Sequence, residues 1–267
     1  MKMDNRPIGV FDSGIGGLTV VDAITKSLPN ESILYVGDTA RVPYGNKSKA
    51  RVQEFSYDIA HWLKEQKCKM IVVACNTASS LALDYLKSNF DLPIIGVISP
   101  GVVKALKVTQ TNAVGVLGTY GTIRSDAYGK RLKSANSKIS VLSQACPLFV
   151  PLAEEGWVEG DVPKSVATHY LKQFKSTTID TVILGCTHYP LLKQIIGDVL
   201  GSTVNLVDSG EATVSSLQSV LTENNLFADE SSGEIHCFVT DSPDTFESLA
   251  SRFVSGKIQS ISHIDLT

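Results

Sequence analysis

The feature that most constrains the fold is an alternation of short apolar runs with segments of helical period. Seven runs rich in Val and Ile are separated by longer stretches whose apolar residues recur every three or four positions. The runs are IGVF (8–11), ILYV (33–36), MIVVA (70–74), PIIGVI (93–98), AVGVL (113–117), TVILG (181–185) and TVNLV (203–207). Such runs are typical of parallel strands covered by helices on both faces. We therefore predict an α/β protein with mainly parallel sheets flanked by helices.

Two of the predicted helices follow polar loops that come directly after a strand. The first helix has an apolar face formed by Leu18, Val21, Ile24 and Leu28. The second has an apolar face formed by Leu191, Leu192, Ile195, Ile196 and Val199. Pro29 and Gly201 follow these faces and are typical residues for ending a helix.

The chain has the pattern of a diverged internal duplication. IGVFDSGIGGLTV (8–20) matches VGVLGTYGTIRS (114–125) in pattern, and VVACNTASS (72–80) matches VILGCTHYP (182–190). Each half therefore offers one Gly/Ser/Thr loop and one cysteine at a strand end. Ligands of open α/β sheets bind beyond the carboxyl ends of the strands. Two halves that face each other would enclose a cleft with one thiol on each wall.

Composition narrows the class of protein. The chain has 267 residues, 43% hydrophobic and 19% charged, which suits one large or two modest globular domains. A net charge of -3 with scattered Lys and Arg does not favour nucleic acid or anionic membranes as partners. The start, MKMDNRPIGVF, lacks the apolar segment of a signal peptide, and no apolar run approaches the ~20 residues that span a bilayer. We predict a cytoplasmic protein that binds a small molecule.

The five cysteines are interpreted as free thiols. An odd number without an export signal suits a reducing compartment, so disulfides are not expected. A metal site is not expected either, because Cys186 and His188 form only a lone C-x-H. We assign structural roles to the cysteines and histidines that lack a polar loop context: Cys68, Cys146, Cys237 in the strand-like EIHCFV, His61, His169, His236 and His263.

Cys75 and Cys186 have a context that favours chemistry. Taken alone, a cysteine after an apolar run is more often an inert core residue. Cys75, however, precedes Asn76 at the predicted start of a helix, where the positive end of the dipole lowers a thiol pKa from about 8.5. Cys186 has a matching position, with His188 two residues away as a possible proton partner. We predict a thiolate accessible near neutral pH.

The Gly-rich loop DSGIGGLT (12–19) admits two interpretations. It lacks the third glycine of a dinucleotide loop, where Thr19 stands, and it lacks the Lys of a phosphate loop. Free amide groups at a helix N-terminus still bind a small carboxylate, and we favour this over a purely structural tight turn. Asp12 and Ser13 serve equally well as helix caps.

A pair of thiols restricts the reaction. A covalent cysteine hydrolase would leave the second thiol without a role. A low-molecular-weight phosphatase needs an Arg at the end of the cysteine loop, and the residues after Cys75 contain none. Two bases on opposite sides of one carbon suit a proton transfer that inverts a stereocentre.

Five motifs in order along the chain now carry a family resemblance. They are DSGIGGLT (12–19), VPYG (42–45), ACNTAS (74–79), ACPLFVPLAEEG (145–156) and GCTHYP (185–190). With them the chain resembles the glutamate racemases of the aspartate/glutamate racemase family. These enzymes make D-glutamate for peptidoglycan without a cofactor. The resemblance thus implies a cofactor-independent isomerase of cell-wall biosynthesis.

The resemblance also implies roles for single residues. Cys75 and Cys186 would be the paired acid and base, assisted by Asp12 and His188 respectively, with Glu154 as a further helper near Cys186. The groups that hold the substrate's carboxylates and ammonium would be Asp12, Ser13, Tyr44, Gly45, Asn76, Thr77, Thr119, Thr187 and His188. Without the family, Tyr44 in VPYG is equally well explained as part of a turn.

The resemblance finally implies an architecture. It predicts two pseudo-symmetric α/β domains, residues 1–98 with 208–267 and residues 99–207, with the active site in the cleft between them. The polar stretch 222–233 would be a loop in the returning segment, and we expect a homodimer.

Two alternatives to glutamate racemisation stay open. One is a racemase or isomerase of this architecture that acts on aspartate or a related acid. Related aspartate racemases carry Glu after the second Cys-Thr, so His188 favours glutamate. The other is a non-catalytic carboxylate-binding or thiol redox protein, whose two thiols would form a disulfide on mild oxidation.

Overall fold

A computed structural model describes residues 3–229 and 233–266, and in this part of the chain ten strands form two sheets. The strands are β1 (Ile8–Asp12), β2 (Ile33–Gly37), β3 (Met70–Val73), β4 (Ile94–Gly96), β5 (Ala113–Gly118), β6 (Ser140–Ala145), β7 (Thr181–Gly185), β8 (Asn205–Asp208), β9 (Ile235–Val239) and β10 (Ile258–His263). The first sheet has the order β10-β9-β2-β1-β3-β4 and the second β6-β5-β7-β8. The described strand pairs are all parallel, which confirms the predicted fold class.

Helices connect the strands and cover both faces of each sheet. They are α1 (Leu18–Ser27), α2 (Lys49–Glu65), α3 (Asn76–Leu81), α4 (Leu83–Asn89), α5 (Ile98–Val108), α6 (Tyr120–Ser125), α7 (Ala127–Ala135), α8 (Phe149–Glu154), α9 (Asp161–Leu171), α10 (Lys193–Leu200), α11 (Ser209–Asn224) and α12 (Pro243–Ala250). Short 3-10 helices lie at Tyr44–Asn46, Lys172–Phe174 and Tyr189–Leu192. Among the described residues, none of these helices is long and apolar enough to cross a membrane.

Strand β1 shows how the core forms. It is buried along its whole length and pairs with β2 on one side and β3 on the other. Successive side chains of a strand point to opposite faces. Val10 therefore joins the apolar cluster that includes Leu217 of α11, whereas Phe11 joins the cluster that includes Ile59 of α2. Both faces of the strand are apolar, so its sequence is one continuous hydrophobic run.

The strands β6, β9 and β10 lie outside the seven predicted apolar runs, although β9 falls in the strand-like EIHCFV. β6 and β10 are edge strands of their sheets, and their residues are mostly half-buried or exposed. Their sequences, SVLSQA and IQSISH, are accordingly polar at several positions. Because no residue of β6 or β10 is fully buried, the hydrophobic pattern does not reveal them, whereas the edge strands β4 and β8 have buried residues and an apolar run.

The segment after β8 differs from its predicted form at one place. Helix α11 continues to Asn224, and Asn225 ends it in the left-handed conformation with φ 53°. The prediction of a loop from residue 222 was therefore wrong for residues 222–224, because an Asn in this conformation ends a helix well without Gly. Residues 230–232 of the predicted loop lie outside the described residues. The chain then returns to the first sheet, where β9 pairs with β2.

Candidate active site

Four polar loops lie at the carboxyl ends of central strands, as predicted from the duplication. Asp12 ends β1, Cys75 follows β3, Thr119 follows β5 and Cys186 follows β7. β1 pairs with β3, and β5 pairs with β7, so each sheet brings one Gly/Ser/Thr loop beside one cysteine. Both thiols are buried, with 5% and 7% of the residue exposed for Cys75 and Cys186.

The Cys75 thiol lies at the N-terminus of α3. Its Sγ accepts a hydrogen bond from the amide of Ala78 at 3.4 Å and lies 3.7 Å from Oγ of Ser13. Burial raises the pKa of the Cys75 thiol to about 12, and the negative charge of nearby Asp12 adds to the rise. The predicted lowering of this pKa was therefore wrong. The cost of desolvating a thiolate exceeds the stabilisation from the six-residue helix α3.

Asp12 binds the loop that follows it instead of capping helix α1. Its Oδ2 accepts a hydrogen bond from the amide of Gly14 at 3.2 Å, and its Oδ1 has no partner among the described residues. Burial raises the pKa of Asp12, although the positive charge of His188 acts against this rise. Helix α1 has Gly17 as its N-cap, without a side-chain hydrogen bond, so the interpretation of Asp12 and Ser13 as caps of this helix was wrong.

The amide groups at the start of α1 are largely used by the loop itself. Leu18 and Thr19 donate to the carbonyls of Ile15 and Gly16 at 3.0 Å. The glycines instead permit close contact. A Cβ on Gly16 would lie 2.4 Å from Oγ1 of Thr187 and 2.5 Å from the His188 ring. The hydroxyl of Thr19 also donates to the carbonyl of Thr187 at 2.9 Å, so the loop after β1 packs directly on the loop after β7.

Gly16→Ala tests this contact. We expect the added methyl to destabilise the protein by about 1 to 3 kcal/mol, since the neighbouring atoms are themselves buried. The Tm, measured by calorimetry, should fall by several degrees in a chain of this size. Gly14→Ala is the matched control, because its Cβ would meet Val42 at an ordinary 3.5 Å. An equal Tm for the two variants would contradict the inference.

Cys186 belongs to a chain of three side chains. Nδ1 of His188 lies 3.9 Å from Sγ of Cys186 and 3.5 Å from Oγ1 of Thr187, and Nε2 lies 2.9 Å from Oε1 of Glu154. Burial disfavours the imidazolium, but the contacts with Cys186 and Glu154 outweigh it and raise the pKa of His188 to about 10. His188 is therefore a cation at neutral pH, and a cation stabilises an anionic sulfur beside it.

Cys186 is not at the start of a regular helix, in contrast to Cys75. The 3-10 helix Tyr189–Leu192 follows it, with Pro190 in its first turn, and α10 begins only at Lys193. The two loops therefore differ in how they support their thiols. A helix N-terminus supports Cys75, whereas a protonated histidine supports Cys186. Negative charge on Cys186 raises the pKa of Cys75, so the two thiols are within electrostatic reach of each other.

Three threonine hydroxyls meet between the two sheets. Oγ1 of Thr77 on α3 lies 2.9 Å from Oγ1 of Thr119 and 3.2 Å from Oγ1 of Thr122 on α6. Gly45 contacts the same group, since a Cβ there would lie 2.8 Å from Cβ of Thr119. The structure thus brings Gly45, Thr77 and Thr119 together, although 74 positions of sequence separate the first from the last. Thr122 was missed by the sequence analysis.

Tyr44 has a structural side chain. It is fully buried, and its hydroxyl donates to the carboxylate of Asp38. Arg41 and Thr240 also donate to Asp38, at 2.7 and 2.9 Å. This hydrogen bond fits the interpretation of Tyr44 as part of a turn, and its role in substrate binding stays a prediction.

Asn76 has an oriented amide with free donors. Its Oδ1 accepts hydrogen bonds from the hydroxyls of Tyr128 at 2.7 Å and Ser209 at 3.5 Å. Its Nδ2 is buried and has no partner among the described residues. The amide is therefore held with its N–H groups available to an anion. Tyr128 and Ser209 were missed by the sequence analysis because no motif marks them.

Comparisons with known proteins agree with this geometry. A family model described as Asp/Glu/Hydantoin racemase matches residues 8–217. The chain is 47% identical over 262 residues to the glutamate racemase of Geobacter metallireducens, covering 98% of this chain and 97% of that protein. It is also similar to the crystal structures of glutamate racemase from Francisella tularensis in complex with D-glutamate (42% identity, TM-score 0.93) and of isoform RacE1 from Bacillus anthracis (39% identity, TM-score 0.92). Each of the two structural comparisons covers 98% of both chains. On these matches, the chain belongs to the Asp/Glu/hydantoin racemase family.

Proposed function

We propose that this protein interconverts L- and D-glutamate by proton transfer between two cysteines. The observation that carries the proposal is the pair of buried thiols at equivalent strand ends, Cys75 and Cys186. Each has its own ionisable neighbour, Asp12 for the first and His188 for the second. Glutamate is favoured over aspartate because the similar proteins from Geobacter and Francisella are glutamate racemases.

The reaction moves one proton off the α-carbon and one onto it. The thiolate of one cysteine takes the α-proton and becomes a thiol, leaving the electron pair on carbon. The thiol of the other cysteine gives its proton to the opposite face and becomes a thiolate. The two cysteines exchange roles when the enantiomer reacts. Atoms and charge balance without any cofactor.

Polar groups around the carbon stabilise the developing charge. The N–H groups of Asn76 and the hydroxyls of Thr77 and Thr119 are placed to bind the substrate's carboxylates. Preorganised donors in a site that excludes water stabilise a carbanion far better than bulk solvent does. Ser13, Thr187 and the Gly45 backbone complete the proposed binding set.

The Cys75 thiol starts in its protonated form. A pKa of about 12 keeps the proton on Cys75 at neutral pH, so Cys75 is ready to act as the acid. Asp12 is the neighbouring group that takes this proton when Cys75 must act as the base. Burial raises the pKa of Asp12, which makes its carboxylate a stronger base than one in water. On the other wall, His188 and Glu154 serve Cys186.

The cellular setting and the assembly are part of the proposal. We place the reaction in the cytoplasm, where D-glutamate would supply peptidoglycan synthesis, and we propose a homodimer. The domains are proposed as residues 1–98 with 208–267 and residues 99–207. The pairing of β9 with β2 supports this division, as does the packing of Val102 and Ala105 in the apolar cluster of the second sheet.

The decisive experiment incubates L-glutamate with the purified protein without added cofactor. The circular dichroism signal should decay to zero, and in deuterated water the D-glutamate formed should carry deuterium at the α-carbon. L-Aspartate in a parallel sample should keep its signal. If only aspartate is racemised, aspartate replaces glutamate as the proposed substrate. If neither acid is racemised, the proposal is overturned.

Tyr128→Phe tests the role of the Asn76 amide. Loss of the 2.7 Å hydrogen bond should let the amide rotate and weaken substrate binding by about 1 kcal/mol, a fivefold rise in KM. We expect kcat to change less than KM. Tyr85→Phe, at an exposed position, is the control. An unchanged KM in the Tyr128 variant would show that the orientation of the Asn76 amide does not contribute to substrate binding.

A further inference from the structure

The returning segment of the chain reaches the second catalytic loop. Directly after α12, the ring of Phe253 packs edge-on against the ring of His188, with centroids 5.4 Å apart and an interplanar angle of 82°. Phe253 is buried. The preceding residue, Arg252, is exposed, and its Nη1 donates a hydrogen bond to the backbone carbonyl of Glu154. Two consecutive residues therefore contact both partners of the ion pair beside Cys186.

The contact of Arg252 is at the end of a helix. Glu154 is the last residue of α8, and the final carbonyls of a helix have no partners within it. A basic side chain at this position satisfies a carbonyl and also interacts favourably with the helix dipole. Arg252 therefore holds the backbone of Glu154, while the side chain of Glu154 binds His188.

A small displacement of His188 would break its contact with Cys186. The 3.9 Å between Nδ1 of His188 and Sγ is near the limit for a hydrogen bond to sulfur. A cavity of about 430 Å³, lined by Pro190, Leu191, Arg252 and Phe253 among others, lies beside this loop. The ring of Phe253 contacts the imidazole of His188 from the side of the returning segment and opposes its displacement.

We propose that Arg252 and Phe253 are positioning residues for the Cys186 half of the reaction, acting through Glu154 and His188. The proposal rests on the two-thiol function argued above. Both residues affect proton transfer at Cys186 and leave proton transfer at Cys75 unchanged.

Rates alone do not separate the two thiols. The equilibrium constant of a racemisation is one, so kcat/KM for the two enantiomers must change by the same factor in any variant. The isotope effect of α-deuterated substrate does separate them, because it reports the step in which that deuteron leaves. When transfer at Cys186 becomes slower, the effect rises for the enantiomer that Cys186 deprotonates. It falls for the other enantiomer, whose deuteron leaves before the slowed step.

The test uses Phe253→Leu, Arg252→Gln and Arg252→Lys in the full-length protein. We expect Phe253→Leu and Arg252→Gln to lower kcat/KM about tenfold or more, as misplacement of a catalytic group does. The ratio of the isotope effects on α-deuterated L- and D-glutamate should move in the same direction in both. Arg252→Lys keeps a donor and should restore part of the rate. Ser13→Ala, beside Cys75, should move the ratio in the opposite direction.

Phe90→Leu and Arg51→Gln are the matched controls, a buried Phe and an exposed Arg of the first sheet's helical layer. These control variants should keep the wild-type ratio of isotope effects even where their Tm falls. If the Phe253 and Arg252 variants have a lower Tm but keep the wild-type ratio of isotope effects, these residues contribute only to packing and the proposal is overturned. If Phe253→Leu does not fold, the exposed Arg252 position carries the test. If the wild-type protein does not racemise glutamate, the proposed function is overturned instead. The activity of the wild-type protein is therefore measured before that of any variant.

Discussion

Cys75→Ser and Cys186→Ser should each lower racemisation of glutamate by at least about 10²- to 10⁴-fold, the contribution of a positioned acid or base. Serine keeps the size and hydrogen bonding of the side chain, but its hydroxyl ionises at far higher pH than a thiol. One wall of the site would then lack a base in one direction and an effective acid in the other. Because both faces of the α-carbon are needed in every turnover, the two variants should be similarly impaired.

Circular dichroism of each enantiomer measures this loss. Cys146→Ser is the control, since this buried thiol lies near Cys186, contacts the carbonyl of Gln144 at 3.6 Å and has no role in the proposed transfer. It should retain racemisation. Wild-type activity in either Cys75→Ser or Cys186→Ser would reject the two-base mechanism, while loss in the Cys146 variant as well would point to damage of the fold.

Asp12→Asn is expected to have the second-largest effect. Asn has nearly the same shape and still accepts the amide of Gly14 through its oxygen, but it takes no proton from Cys75. We expect kcat to fall about 10²- to 10⁴-fold with a smaller change in KM. Burial raises the pKa of Asp12, and a base is active only when ionised. The activity of the wild-type protein should therefore rise with pH through that pKa.

The pH profile of kcat/KM tests this role directly. The limb assigned to Asp12 should be absent from the Asn variant and present in Asp84→Asn, an exposed carboxylate on α4. An Asn variant with the full wild-type profile would show that Cys75 loses its proton by another route. A fall in Tm alone, without loss of kcat, would assign Asp12 to the structure of the Gly-rich loop.

The central strands could be predicted because their cause is local. β1, β3 and β7 are buried on both faces, so their residues are apolar or small except for Asp12 at the end of β1. The edge strands β6 and β10 lack this requirement and therefore lack the signal. The same reasoning applies to cysteines. Cys75 and Cys186 come after a strand and are followed directly by polar residues, whereas Cys68 precedes a strand and Cys237 lies within one.

The Gly-rich loop shows what a motif does not reveal. Its glycines were interpreted as exposing amide groups to an anion, which stays a prediction. In the structure Gly16 and Gly17 also permit contact with Thr187, His188, and the side chains of Asp12 and Tyr35. The requirement for glycine comes from residues up to 172 positions away, and no local pattern contains that information.

What the sequence by itself determined about this protein is the set of parallel strands, the loops at their carboxyl ends and the two cysteines placed there. Only the tertiary structure decided which groups control those cysteines. The pKa of Cys75 is set by burial and Asp12, and the imidazole beside Cys186 is held by Glu154 and the returning Phe253. Strand and helix signals arise from neighbours along the chain. Desolvation and side-chain positioning depend on every group packed around an atom, and most of those groups are distant in sequence.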